Sequence, residues 1–185
     1  MLKLELRKKM LDIRKSIPFL LRKKKEIKIF EGVIELVKTY SAKSILLYAS
    51  YNDEVDTWRI FDYCINNSIK TAFPKVDKNK RELKIYWINK KEDLVPGYKG
   101  ILEPKNNNSA KIEDIDLLLV PGVVFDERCF RIGYGGGFYD KLLRNKKSLA
   151  VGLAYEEQIV KSIPEEAHDI RVDLVITDKR TISCV

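Results

Sequence analysis

The run Asp116-Leu117-Leu118-Leu119-Val120-Pro121-Gly122 decides the fold of this 185-residue chain. Its apolar stretch is short enough for a buried strand, and Pro121-Gly122 stops it abruptly. A strand with one wet face alternates apolar and polar residues. Here every residue from 117 to 120 is apolar, which calls for burial on both faces. Working outward, Ser44-Ile45-Leu46-Leu47-Tyr48-Ala49-Ser50 has the same character, and further strands are expected at Thr71–Val76, Leu83–Ile88, Ser148–Ala154 and Asp173–Thr177. Helical spacing fills the intervals. Leu2, Leu6, Met10, Ile13 and Ile17 recur three or four apart until Pro18 breaks the pattern, and Lys3, Arg7 and Arg14 share another face of that helix. Phe30, Val33, Ile34 and Val37 mark a second amphipathic helix. Thr57 is placed to cap a helix carrying Trp58, Phe61 and Ile65, residues 104–111 read as polar loop, Phe138–Leu143 as an amphipathic turn and Glu156–Ser162 as a short helix.

Buried strands alternating with helices imply an α/β protein with a mostly parallel sheet covered on both faces. Neither an internal repeat nor a linker divides the chain, so residues 1–185 are expected to form one domain. Ligands of such sheets sit beyond the carboxyl ends of the strands. Two loops fall there, Tyr48–Thr57 and Pro121–Asp140.

Composition narrows the class. Hydrophobic residues at 45% and charged residues at 34% suit a packed core and exclude a disordered or collagen-like chain. No stretch approaches the ~18 uncharged apolar residues of a membrane span, and the opening MLKLELRKKM lacks the apolar centre of a signal peptide. The expected compartment is the cytoplasm. Cys64, Cys129 and Cys184 are odd in number, far apart and without a Cys-x-x-Cys pair, which argues against both a disulfide framework and a zinc site. Lys and Arg number 35 against 27 Asp and Glu, and residues 1–28 alone hold eleven basic and three acidic residues, so the whole excess of eight lies there. Such a patch attracts anions; the plain alternative is a solvated helix face.

The densest chemical signal is Arg131-Ile132-Gly133-Tyr134-Gly135-Gly136-Gly137-Phe138-Tyr139-Asp140. Consecutive glycines before a helix let backbone N–H groups approach a phosphate, and the helix dipole favours the anion. A Rossmann fingerprint would need glycine at 138, and a Walker loop would need Gly-Lys-Ser/Thr; neither is present. Arg131 offers a bidentate phosphate partner and Asp140 a hard oxygen ligand for Mg²⁺, while a flexible turn is the plainer reading of the glycines. In Asp53-Glu54-Val55-Asp56-Thr57, three carboxylates stand at a strand–helix junction. They read either as a capped helix start or as a grip on the polar N–H groups of a heterocycle. The lone His168, beside Asp169, has no positioned Ser or Cys partner for a nucleophilic triad.

These blocks, in this order, resemble the 5-formyltetrahydrofolate cyclo-ligase family along nearly the whole chain. The resemblance rests on Lys3-x-x-x-Arg7 with Arg14, on 53–57, on 116–122 with Phe125-Asp126, on 131–140, on Gly152-Leu-Ala-Tyr155 with Gln158, and on Pro164 through His168-Asp169 to Val172-Asp173. Residues 77–113 carry little of it. It implies ATP- and Mg²⁺-dependent closure of 5-formyltetrahydrofolate, with or without a polyglutamate tail, to 5,10-methenyltetrahydrofolate. It also implies a three-layer α/β/α fold like that of sugar-phosphate isomerases and CoA transferases. Lys3, Arg7 and the stretch Arg131, Ile132, Gly133, Tyr134, Gly135, Gly136, Gly137, Phe138 and Tyr139 would hold ATP. Ala49, Glu54 and residues 134–138 would face the folate. Asp140 and Asp169 would serve Mg²⁺, and Arg131, Tyr134 and Asp140 would act in catalysis. The expected enzyme is a monomer that takes a small molecule, with neither nucleic acid nor membrane as partner. Family members usually carry glycine two residues before the block's arginine, where this chain has Cys129, a side chain that would be strained at positive φ. Rival readings are a basic nucleic-acid-binding protein and a small-metabolite kinase using the same glycine loop.

Overall fold

A computed structural model describes residues 2–105 and 107–185. Four helices, α1 (Lys3–Ser16), α2 (Phe19–Thr39), α3 (Trp58–Asn66) and α4 (Phe138–Arg144), surround strands β1 (Ser44–Leu46), β2 (Lys70–Asp77), β3 (Glu82–Trp87), β4 (Leu94–Pro96), β5 (Leu102–Pro104), β6 (Ser109–Ala110), β7 (Leu117–Val120), β8 (Val124–Asp126), β9 (Arg131–Ile132), β10 (Leu149–Leu153), β11 (Ile159–Val160), β12 (Leu174–Ile176) and β13 (Thr181–Ser183). The main sheet runs β13-β12-β10-β7-β1-β2-β3-β6. Its five central strands are parallel, with Ile45 opposite both Thr71 and Leu117, and Val151 opposite both Leu119 and Leu174. Antiparallel β13 closes one side and β3 and β6 the other.

Both faces of the central strands are covered, as the uninterrupted apolar runs require. Ile45, Leu117, Leu119 and Val151 pack with Ile29 and Val33 of α2 and Ile60 and Phe61 of α3. The alternate residues Leu46, Leu118, Val120 and Ala150 pack with Leu143 of α4 and with Phe125. Leu117 to Val120 are wholly buried, and each such side chain contributes on the order of 1.5–3 kcal/mol. A third cluster joins Leu6 and Met10 of α1 to Val123, Val124 and Ile132. It fixes α1 against the small β11-β8-β9 sheet, and therefore against the loop that follows β7.

Several expectations need correcting. Arg14 lies on the same inward stripe as Leu6 and Met10, and not on another face; ion pairing makes its burial tolerable. The loop after Pro121 contains the β8–β9 hairpin, and 104–111 contributes β6 at the sheet edge (Asn106, within it, lies outside the described residues). Residues 156–158 form one 3₁₀ turn, and 159–160 leave it to pair with β8. Thr57 occupies the N-cap of α3, but its hydroxyl donates to the Tyr48 carbonyl at 2.6 Å, and Asp56 accepts the Trp58 N–H instead. Cys129 and Cys184 form a disulfide across a sequence separation of 55. Distance in sequence argues against this link, but β12–β13 pairing brings Cys184 back beside the 126–131 turn, where Val172 N–H bonds the Cys129 carbonyl and Cys184 N–H the Asp173 carbonyl. The strain expected at 129 is present, at φ 64°.

Candidate active site

Chain direction fixes where a cleft must form. From β1 the chain crosses to β2 on one side, and from β7 to β10 on the other, so the loops after the adjacent strands β1 and β7 diverge. A crevice opens beyond the carboxyl ends of strands where the order reverses in this way. The cavity found there, of about 460 Å³, is lined by Tyr48, Ala49, Tyr51 and Glu54 from the first loop and by Pro121 and Arg131–Asp140 from the second. Lys3 and Arg7 of α1, with Glu166, His168 and Asp169, complete its polar wall. Every residue expected from the sequence to meet a ligand thus lines one cavity.

Local chemistry explains how the second loop is aimed. Asp126 is wholly buried. Its Oδ1 accepts the N–H groups of Arg128 and Phe130, and its Oδ2 accepts that of Ile163, which ties the turn into shape just before Arg131. Gln158 donates to the carbonyls of Gly122 and Val123 at 3.0 Å each and fixes the loop's other end. Neither contact is visible from sequence spacing, because the partners are 35 or more residues apart. Gly135 and Gly137 have φ of 98° and 66°, in the left-handed region, and Gly137 begins α4.

The cations converge on that turn. Arg7 Nε donates to the Gly133 carbonyl at 2.7 Å, and its guanidinium lies against Gly135. Lys3 Nζ bonds Asp169. Burial would raise the Asp169 pKa, but the Lys3 ammonium outweighs it and holds the carboxyl below its ordinary value. Arg131 is buried, its Nη2 sits 3.2 Å from Asp140 Oδ1, and its Nε has no partner among the described residues. Burial draws its pKa down while the Asp140 charge resists. An orphaned N–H on a buried cation that lines a cavity calls for an anion.

Beside this lies a second network. Arg14 donates twice to Asp53, at 3.1 Å each, and once to the Tyr134 hydroxyl at 2.7 Å. Burial would lower the Arg14 pKa, but these bonds keep it above its ordinary value, and the same pairing overcomes burial to depress Asp53. Glu54 takes the Tyr51 N–H at 2.9 Å. Burial pushes the Glu54 carboxyl above its ordinary range, and burial with the Glu54 charge pushes Tyr134 up to about 12. The role of Arg14 in joining α1 to both loops was the feature least apparent from sequence, although its place on the Leu6–Met10 stripe signals it.

No cluster of three His, Cys, Asp or Glu suited to a metal occurs among the described residues. Asp140 Oδ1 is committed to Arg131 and the Ile170 N–H, and Asp169 Oδ2 to Lys3 and the Glu166 N–H. Both residues line the same cavity.

An α/β fold with a cation-lined, glycine-walled cleft at the switch point of its sheet has the form of an enzyme site suited to an anionic ligand. The chain belongs to the 5-formyltetrahydrofolate cyclo-ligase family, a family of ligases whose model matches residues 2–178. It is 30% identical over 172 residues to the 5-formyltetrahydrofolate cyclo-ligase of Haemophilus influenzae, covering 90% of this chain and 92% of that one. The solution structure of 5,10-methenyltetrahydrofolate synthetase from Aquifex aeolicus superimposes with a TM-score of 0.88 at 34% identity, over 100% of this chain and 93% of the other. A Mycoplasma pneumoniae 5,10-methenyltetrahydrofolate synthetase gives 0.79 at 25%, over 96% and 99%.

Proposed function

We propose that this chain, acting as one unit over residues 1–185, closes 5-formyltetrahydrofolate to 5,10-methenyltetrahydrofolate at the expense of ATP, releasing ADP and phosphate. The observation that carries the reading is the unpartnered Nε of buried Arg131, a residue that lines one cavity with Arg7, Lys3, the glycine turn and the half-buried Glu54. Lys3, Arg7 and residues 131–139 take the triphosphate. Ala49, Glu54 and 134–138 take the folate, with Glu54 accepting N–H groups of its ring. The parallel strands with helices on both faces support kinship with the sugar-phosphate isomerase and CoA transferase type.

The reaction needs little covalent help. A formamide carbon is a poor electrophile because nitrogen donates into its carbonyl, and expelling its oxygen as hydroxide is unfavourable near neutral pH. Attack of the formyl oxygen on the γ-phosphorus expels ADP and converts that oxygen into a phosphate ester. N10 then attacks the formyl carbon, loses its proton, and phosphate departs as the C–O bond breaks. Positioning and charge neutralisation are what phosphoryl transfer asks of a protein. Arg131 balances developing charge at the phosphate, Tyr134 orients the folate from its bond to Arg14, and Asp140 keeps Arg131 aimed. Asp140 and Asp169, which line the same cavity, would be the carboxylates to hold a Mg²⁺ whose shell phosphate oxygens complete. Bound there, the ion would offset charge on the nucleotide.

The deciding measurement is formation of the methenyl chromophore from 5-formyltetrahydrofolate. It should appear only with ATP. A phosphorylated product that never cyclises would replace this reading with that of a small-metabolite kinase.

A further inference from the structure

The Cys129–Cys184 disulfide joins the edge of the main sheet to the turn before Arg131. Cys129 is wholly buried, in one cluster with Phe125, Val172 and Leu143 of α4, the helix that follows the glycine turn. Cys184 follows β13, an edge strand with a single neighbour, where Thr181 and Ser183 are exposed and Cys184 itself is half-buried. Of the two cysteines, only Cys184 is open to solvent. Cys129 stands two residues before Arg131, a lining residue of the cavity whose Nε has no partner among the described residues. At φ 64° the Cys129 backbone is left-handed, a conformation that suits glycine and disfavours a side chain.

We propose that this pair is a thiol-responsive modification site: a dithiol reductant opens it at Cys184, and the opened protein binds polyphosphate more weakly than the closed one. The inference rests on the reading of the cavity as a nucleotide phosphate site. A thiolate of the reductant attacks Cys184 Sγ; the S–S bond breaks, and its electron pair leaves on Cys129 Sγ, which takes up a proton. The reductant's second thiolate then attacks its own sulfur in the mixed disulfide and expels Cys184 as a thiolate, protonated in turn. Two electrons and two protons pass from the dithiol, which ends as a cyclic disulfide, to the two cysteines. While closed, the link fastens the disfavoured left-handed turn to the end of β13. Once open, the turn keeps its bonds to Asp126 but loses that fastening, so Arg131 is held less firmly. An anion must then order the turn as it binds, which lowers its affinity. Linkage makes the effect mutual: by whatever factor opening weakens the anion, the bound anion must oppose opening.

Inorganic tripolyphosphate is the probe, titrated by calorimetry into oxidised protein and into protein held reduced by dithiothreitol, below the melting temperature of the reduced form. Its Kd should rise about five- to thirty-fold on reduction, within the usual range of coupling between two sites. Saturating tripolyphosphate should shift the dithiothreitol equilibrium for opening by the same factor. Cys129→Gly with Cys184→Ser, which places glycine at the left-handed position, should bind tripolyphosphate equally with and without dithiothreitol. Equal affinity in the two thiol states of the native chain, or an opening equilibrium that tripolyphosphate does not move, overturns the proposal even if melting falls on reduction. So does a reductant effect that persists in the double variant. Methenyl product absent in both thiol states, with the tripolyphosphate coupling intact, would overturn the cyclo-ligase reading and leave the thiol site standing.

Discussion

Asp140 occupies two positions at once, and Asp140→Asn separates them. In the first turn of α4 its Oδ1 accepts from Arg131 Nη2 and from the Ile170 N–H, both at 3.2 Å, while the side chain stays 17% exposed and the Arg131 side chain only 4%. Asparagine keeps the shape and both acceptor contacts but removes the charge. Leaving a buried charge without its partner costs about 3–5 kcal/mol when the partner is deleted; with the hydrogen bonds retained, about 1–3 kcal/mol is expected. At roughly 2–4 °C per kcal/mol for a chain of this size, melting should fall by several degrees. The bare guanidinium should then seek another anion, so inorganic phosphate or ADP should restore more stability to the variant than to the native protein. Catalysis is a separate readout. If the second carboxylate oxygen serves Mg²⁺, kcat should drop about a hundred-fold, the scale of one major electrostatic stabiliser, and half-saturation by Mg²⁺ should rise. Thermal shift with and without phosphate, with turnover across a Mg²⁺ titration, gives all of these quantities. A variant with native melting, native kcat and an unshifted Mg²⁺ curve would refute both roles.

Lys3→Ala with Arg7→Ala should raise the KM for ATP ten- to a hundred-fold per lost charge-assisted bond and the KM for folate much less; equal rises in the two Michaelis constants would remove α1 from the nucleotide site. Glu54→Gln should cut kcat/KM for folate by about ten- to a hundred-fold with ATP binding intact. Because burial holds Glu54 above its ordinary pKa, its ionised form is lost as pH falls through that raised value. The acid limb of the native kcat/KM profile should therefore lie above the ordinary glutamate range and vanish in the glutamine variant, and a limb left in place would show that another group titrates. Cys184→Ser opens a link spanning 55 residues of sequence, worth about 2–4 kcal/mol. Its melting temperature should match that of native protein treated with dithiothreitol, and native melting indifferent to the reductant would show that the link contributes nothing.

What could be read from the sequence and what could not divide along a physical line. The four-residue run at 117–120 and the glycines at 135–137 are local: burial on two faces and positive φ leave marks within a few residues, so the central strands lie within a residue or two of their apolar runs, except that β1 ends at Leu46 while its run continues to Ser50. The β4–β5 hairpin and β13 left no such mark, being three-residue strands at sheet edges where one face is wet and packing chooses weakly. Contacts made by distant pieces left none at all. Arg14 and Asp53 are 39 apart, and Lys3 and Asp169 are 166 apart. Read alone, the basic face of α1 offers an open anion site or a solvated helix. The fold spends much of the N-terminal charge internally: Lys3 on Asp169 and Arg14 on Asp53 from α1, and Lys25 of α2 on Glu157 and Asp178. Of Lys3, Arg7 and Arg14, Arg7 alone meets only a carbonyl, at Gly133. A triphosphate bound as proposed would find Arg7 held by a carbonyl alone, whereas Lys3 would have to exchange Asp169 for phosphate.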